Sequence, residues 1–197
     1  MNALSNLLNH YRESAQTERE KGSYFENLIR CYLKNEAIYK DLYSDVWLYA
    51  DWAREQWLDA RDTGIDLVAK THDTNEFHAI QCKLYAANHR LQKSEIDSFF
   101  TASGQKPFSH RIIVSTTNLW SEHAENALRD QQPPVSKIDL FDLENSQIDW
   151  SRYQPQTKPT LKPKKILRSH QSSALASVCQ GLTHADRGKL IMACGTG

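Results

Sequence analysis

Gly64-Ile65-Asp66-Leu67-Val68-Ala69-Lys70 and Phe77-His78-Ala79-Ile80-Gln81-Cys82-Lys83 are two runs rich in apolar and β-branched residues. The polar, turn-prone Thr71-His72-Asp73-Thr74-Asn75-Glu76 joins them. Ile65–Lys70 and Phe77–Lys83 therefore read as neighbouring strands. Residues two apart on a strand share a face, so Gln81 and Lys83 project together while Ile80 and Cys82 face the opposite way. A hairpin brings Asp66 close to Gln81, and Gly64 just before it permits another backbone to approach closely.

Outward from this pair the pattern alternates between helix and strand. Leu4, Leu7, Leu8, Tyr11 and Ala15 have near-helical spacing over residues 3–20. Gly22 is expected to break that helix, and Ser23-Tyr24-Phe25-Glu26 to open another running to about Asn35. A short strand near Val46–Tyr49 and a helical turn from Asp51 follow. Beyond the pair, Lys93–Thr101 and Ser121–Arg129 read as helices, and Arg111–Ser115 and Lys137–Phe141 as strands. Pro155, Pro159 and Pro163 sit among Gln, Thr and Lys, a composition that gives an extended tether. After it, Leu167–Leu182 reads as a helix and Lys189–Ala193 as a buried strand entering Cys194-Gly195-Thr196-Gly197. The class is α/β, with one complete domain and the beginning of another.

The chain has 197 residues, 40% of them hydrophobic and 24% charged, which excludes collagen-like and wholly disordered classes. No long apolar run suggests a membrane span, so no membrane partner is expected. The opening residues lack the basic and apolar regions of a secretory signal. Cys31, Cys82, Cys179 and Cys194 are scattered, without zinc-like spacing, which points to a reducing, cytoplasmic setting. With 24 bases against 24 acids, any binding of nucleic acid must be local. The stretch Arg152–Arg168 holds six bases and no acid. Trp47, Trp52, Trp57 and Trp120 could stack on bases, although tryptophans in a chain of this size are more often core.

A carboxylate, an amide oxygen and a backbone carbonyl are hard ligands suited to Mg²⁺. A lysine beside such an ion can balance charge developing on a phosphate, which is the requirement of phosphodiester hydrolysis. The plainer reading makes Asp66 a turn cap, Gln81 a polar strand residue and Lys83 a solvent-facing charge.

The order GIDLVAK, IQCKLY, a helix carrying IDSFF, then RIIVSTTNLW resembles the PD-(D/E)XK nuclease superfamily, in particular its Mrr-like restriction endonuclease branch. The likeness spans roughly residues 22–142. It implies a restriction-endonuclease-like fold, a mixed central sheet flanked by helices. It also implies a metal site of Asp66, Gln81, the Cys82 carbonyl and Glu26, with Lys83 as the catalytic cation. Gln81 stands where the superfamily motif usually has Glu, as it does in the Mrr-like branch. Ser23 and Glu26 also fit a capping box, so Glu26 is either a metal ligand or a cap. The implied cofactor is Mg²⁺, with Mn²⁺ as substitute, and the implied partner is double-stranded DNA.

Leu167-Arg168-Ser169-His170-Gln171 resembles the segment before the P-loop of superfamily 2 helicases, with Gln171 as the adenine reader. Gly195-Thr196-Gly197 then begin the phosphate loop, without its Lys and Ser/Thr. Residues 1–150 are thus expected to be the nuclease domain, 151–166 a Pro/Lys-rich linker and 167–197 the truncated start of an ATP-dependent helicase. That order resembles single-polypeptide type I restriction-modification enzymes. It implies a longer polypeptide that uses ATP, with possible methyltransferase and target-recognition regions and a transient nuclease dimer. Two rivals remain at this point: a non-catalytic DNA-binding or docking module, and a protein-interaction domain serving the motor.

Overall fold

In a computed structural model of the chain, the residues described are 2–59, 61, 64–163 and 166–191. They form two compact units, Met1–Lys162 and Pro163–Gly197.

The first unit begins with α1 (Ala3–Ser14), whose N-terminus is closed by Asn2 Oδ1 accepting the Ser5 N–H at 2.8 Å. Its stripe of Leu4, Leu8 and Tyr11 is buried. Helix α2 spans Glu18–Asn35 and is capped by Thr17, whose hydroxyl accepts the Glu20 N–H at 3.1 Å. The expected break at Gly22 does not occur, because the chain has already turned before Thr17. A mid-helix glycine costs only about 1 kcal/mol, which the buried stripe Phe25, Leu28, Ile29, Tyr32 and Leu33 outweighs. Ser23 and Glu26 therefore lie inside α2, and Glu26 is not a helix cap.

The chain continues through α3 (Ala37–Leu42), β1 (Tyr43–Leu48), α4 (Tyr49–Glu55), β2 (Leu67–Thr71) and β3 (Phe77–Lys83). Then come α5 (Asp97–Ser103), β4 (Phe108–Ser115), α6 (Glu122–Ala127), β5 (Val135–Ile138) and α7 (Leu140–Glu144). The five strands form one mixed sheet in the order β1-β2-β3-β4-β5. β1, β2 and β3 pair antiparallel, while β3–β4 and β4–β5 are parallel. Alternation assigns Leu67, Ala69, Ile80, Ile112 and Val114 to one face, under α1 and α2. Val68, Ala79 and Ile113 pack on the other face with Trp52 of α4, Phe99 of α5 and Ala124 of α6. This is the mixed sheet flanked by helices that the resemblance implies.

The last strand starts and stops earlier than the expected Lys137–Phe141. Asp139 accepts the Phe141 N–H at 3.0 Å and Asp142 accepts the Asp139 N–H at 2.9 Å. That capping box draws Leu140 and Phe141 into α7. Residues past 150 also belong to the packed body: Trp150 Nε1–H donates to the Leu143 carbonyl at 2.8 Å, and the Asp149 N–H to Thr160 at 2.8 Å. The Lys162 N–H donates to Gln147 at 2.7 Å, so the tether composition is packed as far as Lys162.

The second unit contains α8 (Ser169–Leu182), which has no buried residue. The expected strand at Lys189–Ala193 is absent over its described part, where Leu190 and Ile191 are exposed. A strand needs a ladder partner, and Lys189–Ile191 has none among the described residues. Met192–Gly197 lie outside them. No helix of the described residues is long and apolar enough to cross a membrane.

Candidate active site

β2 starts at Leu67, paired with Ile80, whereas β3 continues to Lys83. Past Ile80 the backbone of β3 thus runs beyond its antiparallel neighbour, and side chains replace the ladder. The Asp66 N–H donates to the Ile80 carbonyl at 2.9 Å, and Asp66 Oδ2 accepts the Cys82 N–H at 2.6 Å. These two bonds bracket Gln81 and fix the carboxylate beside it. The Asp66 carbonyl accepts the Tyr49 N–H at 2.8 Å, tying the start of α4 to the same point.

Gln81 is 3% exposed. Its Nε2 donates to the Gly64 carbonyl at 3.0 Å, which directs Oε1 away from that contact. Oε1 is buried without a hydrogen-bond partner. An unpaired buried amide oxygen costs roughly 1–3 kcal/mol, so its presence next to a carboxylate is informative. Gly64 has φ +85°, a conformation that favours glycine, and a Cβ there would meet Ser98 Oγ at 3.4 Å. The glycine anticipated from sequence as a point of close approach therefore serves the Gln81 amide and the start of α5.

Lys83 ends β3 on the Gln81 face and is partly exposed. Its carbonyl accepts the Thr116 N–H at 3.1 Å. The Thr116 hydroxyl donates to the Tyr85 carbonyl at 2.6 Å and accepts the Tyr85 N–H at 2.8 Å. The Arg12 guanidinium donates to the same Tyr85 carbonyl. Thr116 and Arg12 thus clamp the segment that follows the lysine. Sequence reasoning missed both, although Thr116 lies within the RIIVSTTNLW stretch it singled out. Tyr85 itself packs: its ring lies 4.1 Å from that of His89, whose Nε2 is 3.1 Å from Glu95.

Glu26, on α2, lies close enough to this strand end to act on the Cys82 thiol. Its Oε1 lies back over Gly22, 3.5 Å from where a Cβ would stand. The Cys82 thiol has its pKa pushed well up by burial first, then by the negative charges of Asp66 and Glu26, with Lys83 opposing. Asp66, Glu26 and Lys83 therefore all act on one strand position. Among the described residues no group of three His, Cys, Asp or Glu side chains could hold a metal ion. The available donor set is instead two carboxylates, the orphaned Gln81 oxygen and the Cys82 carbonyl. Such hard, oxygen-only ligands fit Mg²⁺, which keeps several of its waters.

Of the nucleotide-site expectations, Gln171 sits in the first turn of α8, with its Oε1 accepting the Arg168 N–H at 2.9 Å. Gly195, Thr196 and Gly197 lie outside the described residues.

The family model Mrr_cat_2, described as a restriction endonuclease, matches residues 34–160. That range contains the whole sheet with Asp66, Gln81 and Lys83, but not Glu26. No curated protein matches. A solved structure described as "ATP-dependent Type ISP restriction-modification enzyme LlaBIII bound to DNA" is 34% identical to this chain, with a TM-score of 0.72. The match covers 98% of this chain and 12% of that one, so the chain spans a small fraction of its relative. With the family model covering most of the chain and the mixed sheet in place, the chain belongs to the Mrr-type restriction endonuclease family.

Proposed function

We propose that this chain is a divalent-metal-dependent DNA endonuclease domain that hydrolyses phosphodiester bonds. The observation that carries the reading is the unpaired, buried Gln81 Oε1 beside Asp66, one residue from the Cys82 carbonyl and two from Lys83. Asp66, Gln81, the Cys82 carbonyl and, from α2, Glu26 would hold the ion. A divalent cation bound there supplies positive charge to a phosphate and acidifies a water. Lys83 contributes a compact charge for the negative charge that develops on the phosphate oxygens. Asp66 has a second task, because its bond to the Cys82 N–H holds the two strands in register where the ladder has ended.

The LlaBIII likeness supports a wider setting, in which the domain is part of a longer ATP-dependent restriction enzyme acting on double-stranded DNA. Gln171 would then read adenine, and Gly195, Thr196 and Gly197 would begin the phosphate loop. Cytoplasmic action follows from that setting. A methyltransferase, a target-recognition region and a transient nuclease dimer belong to the same proposal.

Nicking of supercoiled plasmid across a series of protein concentrations, with Mg²⁺ or Mn²⁺, tests the reading. Cleavage lost in EDTA and in Lys83→Ala supports it. Cleavage that survives both would remove the site from the QxK strand. One observation favours a second reading, a DNA-binding module without catalysis: Gln81 leaves the site one charge poorer than an acidic residue would. DNA binding without cleavage, also by the full-length protein with ATP, is what that reading expects.

A further inference from the structure

We propose that Trp57 is a DNA-contacting residue, its indole packing against the sugars and base edges of the duplex that crosses Asp66. The inference rests on the nuclease reading and adds a contact outside the metal site.

The tryptophans differ sharply in their surroundings. Trp52, Trp120 and Trp150 are buried, and Trp47 packs partly against the core. Trp57 is 96% exposed. Its backbone is also unusual, with φ 58°. The Trp57 N–H donates to Arg54 at 3.2 Å and the Leu58 N–H to Ala53 at 2.8 Å, the paired bonds of a Schellman motif that ends α4. The position Trp57 occupies in that motif is the left-handed one where glycine is favoured, because any Cβ is strained there. Trp57 therefore adds backbone strain and gains no burial in return. Among the described residues none buries the indole, which points to a partner.

The surroundings indicate DNA. The Tyr49 N–H is bonded to the Asp66 carbonyl at 2.8 Å, so α4 starts at the candidate site. At 1.5 Å rise per residue, Trp57 lies roughly 12 Å further along the helix axis, within reach of one duplex. Leu58, next in sequence, lines a cavity of about 660 Å³ with Tyr49, Ile65, Phe108, Arg61 and Lys106. Leu58 and Ile65 are the chain neighbours of Trp57 and Asp66, so the cavity lies between the two segments that carry them. Rings beside cations suit a polymer of bases and phosphates. Arg61 is paired with Asp59 at 2.5 Å, whereas Lys106 has no ion pair among the described residues.

The test measures binding of a labelled DNA duplex with Ca²⁺ replacing Mg²⁺, alongside thermal melting, for the wild-type chain, Trp57→Gly and Trp57→Phe. Trp57→Gly should bind about tenfold more weakly, while its Tm stays level or rises by about 2–4 °C. Trp57→Phe keeps an aromatic ring and should bind within about threefold of wild type. Wild-type affinity in Trp57→Gly overturns the inference, as does a Tm that falls together with the affinity. If wild type binds and cuts while Trp57→Gly matches it in both, only this inference fails. A wild-type chain that neither binds nor cuts takes down the nuclease reading as well.

Discussion

The two ends of β3 carry polar groups under opposite conditions. At its start, His78 Nδ1 and the Tyr43 hydroxyl share a hydrogen bond at 2.9 Å, and the two rings meet edge-on with centroids 5.4 Å apart. His110, whose ring lies 5.0 Å from that of His78, is bonded in turn to Ser136 at 3.0 Å. At its far end, Gln81 Oε1 is buried with nothing to bond, and a carboxylate stands in for a missing strand partner. The first end satisfies its polar groups within the fold, whereas the second holds one ready for something the fold does not contain. A buried polar network that is complete specifies structure, and one that is incomplete marks a place where a ligand completes it.

The largest test of this contrast sets cleavage against stability. Lys83→Ala should lower plasmid nicking by about 10³-fold with little change in melting temperature, since the lysine is partly exposed at the strand end. Asp66→Ala should do the same to cleavage and also cost about 1 kcal/mol of stability, through the lost bond to the Cys82 N–H. His78→Gln, at the satisfied end, should leave cleavage unchanged. If Asp66→Ala still cuts at the wild-type rate, the two ends of β3 do not differ in the way proposed.

A smaller and sharper effect comes from Gln81→Glu. The new carboxylate cannot donate to the Gly64 carbonyl and would face its oxygen instead, in a position that is almost fully buried. In EDTA the variant should be less stable by roughly 2 kcal/mol. Mg²⁺ should raise its Tm by more than it raises that of wild type, because the added charge strengthens binding of a hard cation. Thermal melts with and without Mg²⁺ read both effects. An equal Mg²⁺ response in the two proteins would disconnect Gln81 from metal binding.

The central strands were legible because their signal is local. Phe77–Lys83 occupies the expected residues, and the alternation that separates Gln81 and Lys83 from Ile80 and Cys82 recurs in the two faces of the core. The errors arose where a distant or weak effect decides. Gly22 has the local character of a helix break, yet the burial of five side chains on α2 overrides its small penalty. Leu140 and Phe141 have strand character, but the carboxylates of Asp139 and Asp142 close a helix N-terminus around them. Trp57 belongs to a residue type that is usually core, and only the backbone bonds ending α4 reveal that it points outward. Thr116, Arg12 and Tyr49 support the site through contacts with residues far away in sequence, and no spacing rule reports those. The unpaired state of Gln81 Oε1 is likewise a property of its surroundings.

The satisfied end of β3 should reveal itself through pH. Burial, reinforced by repulsion from His110 and opposed by Glu76, lowers the pKa of His78 to about 4. In the unfolded chain an imidazole titrates near 6.5, so between these values the unfolded state binds more protons. Stability is therefore fully present above about pH 6.5 and declines as pH falls toward about 4. Allowing for the partial exposure of the ring, the loss attributable to His78 is of order 1 kcal/mol. His78→Gln retains a hydrogen-bonding group for the Tyr43 hydroxyl but has no proton to take up. Urea unfolding at pH about 5 and about 7 should accordingly show a smaller difference in that variant than in wild type. Lys83→Ala, at the other end of the strand, should keep the wild-type difference. A His78→Gln protein with the wild-type pH dependence would show that the acid sensitivity arises from other groups and that this network is inert to pH.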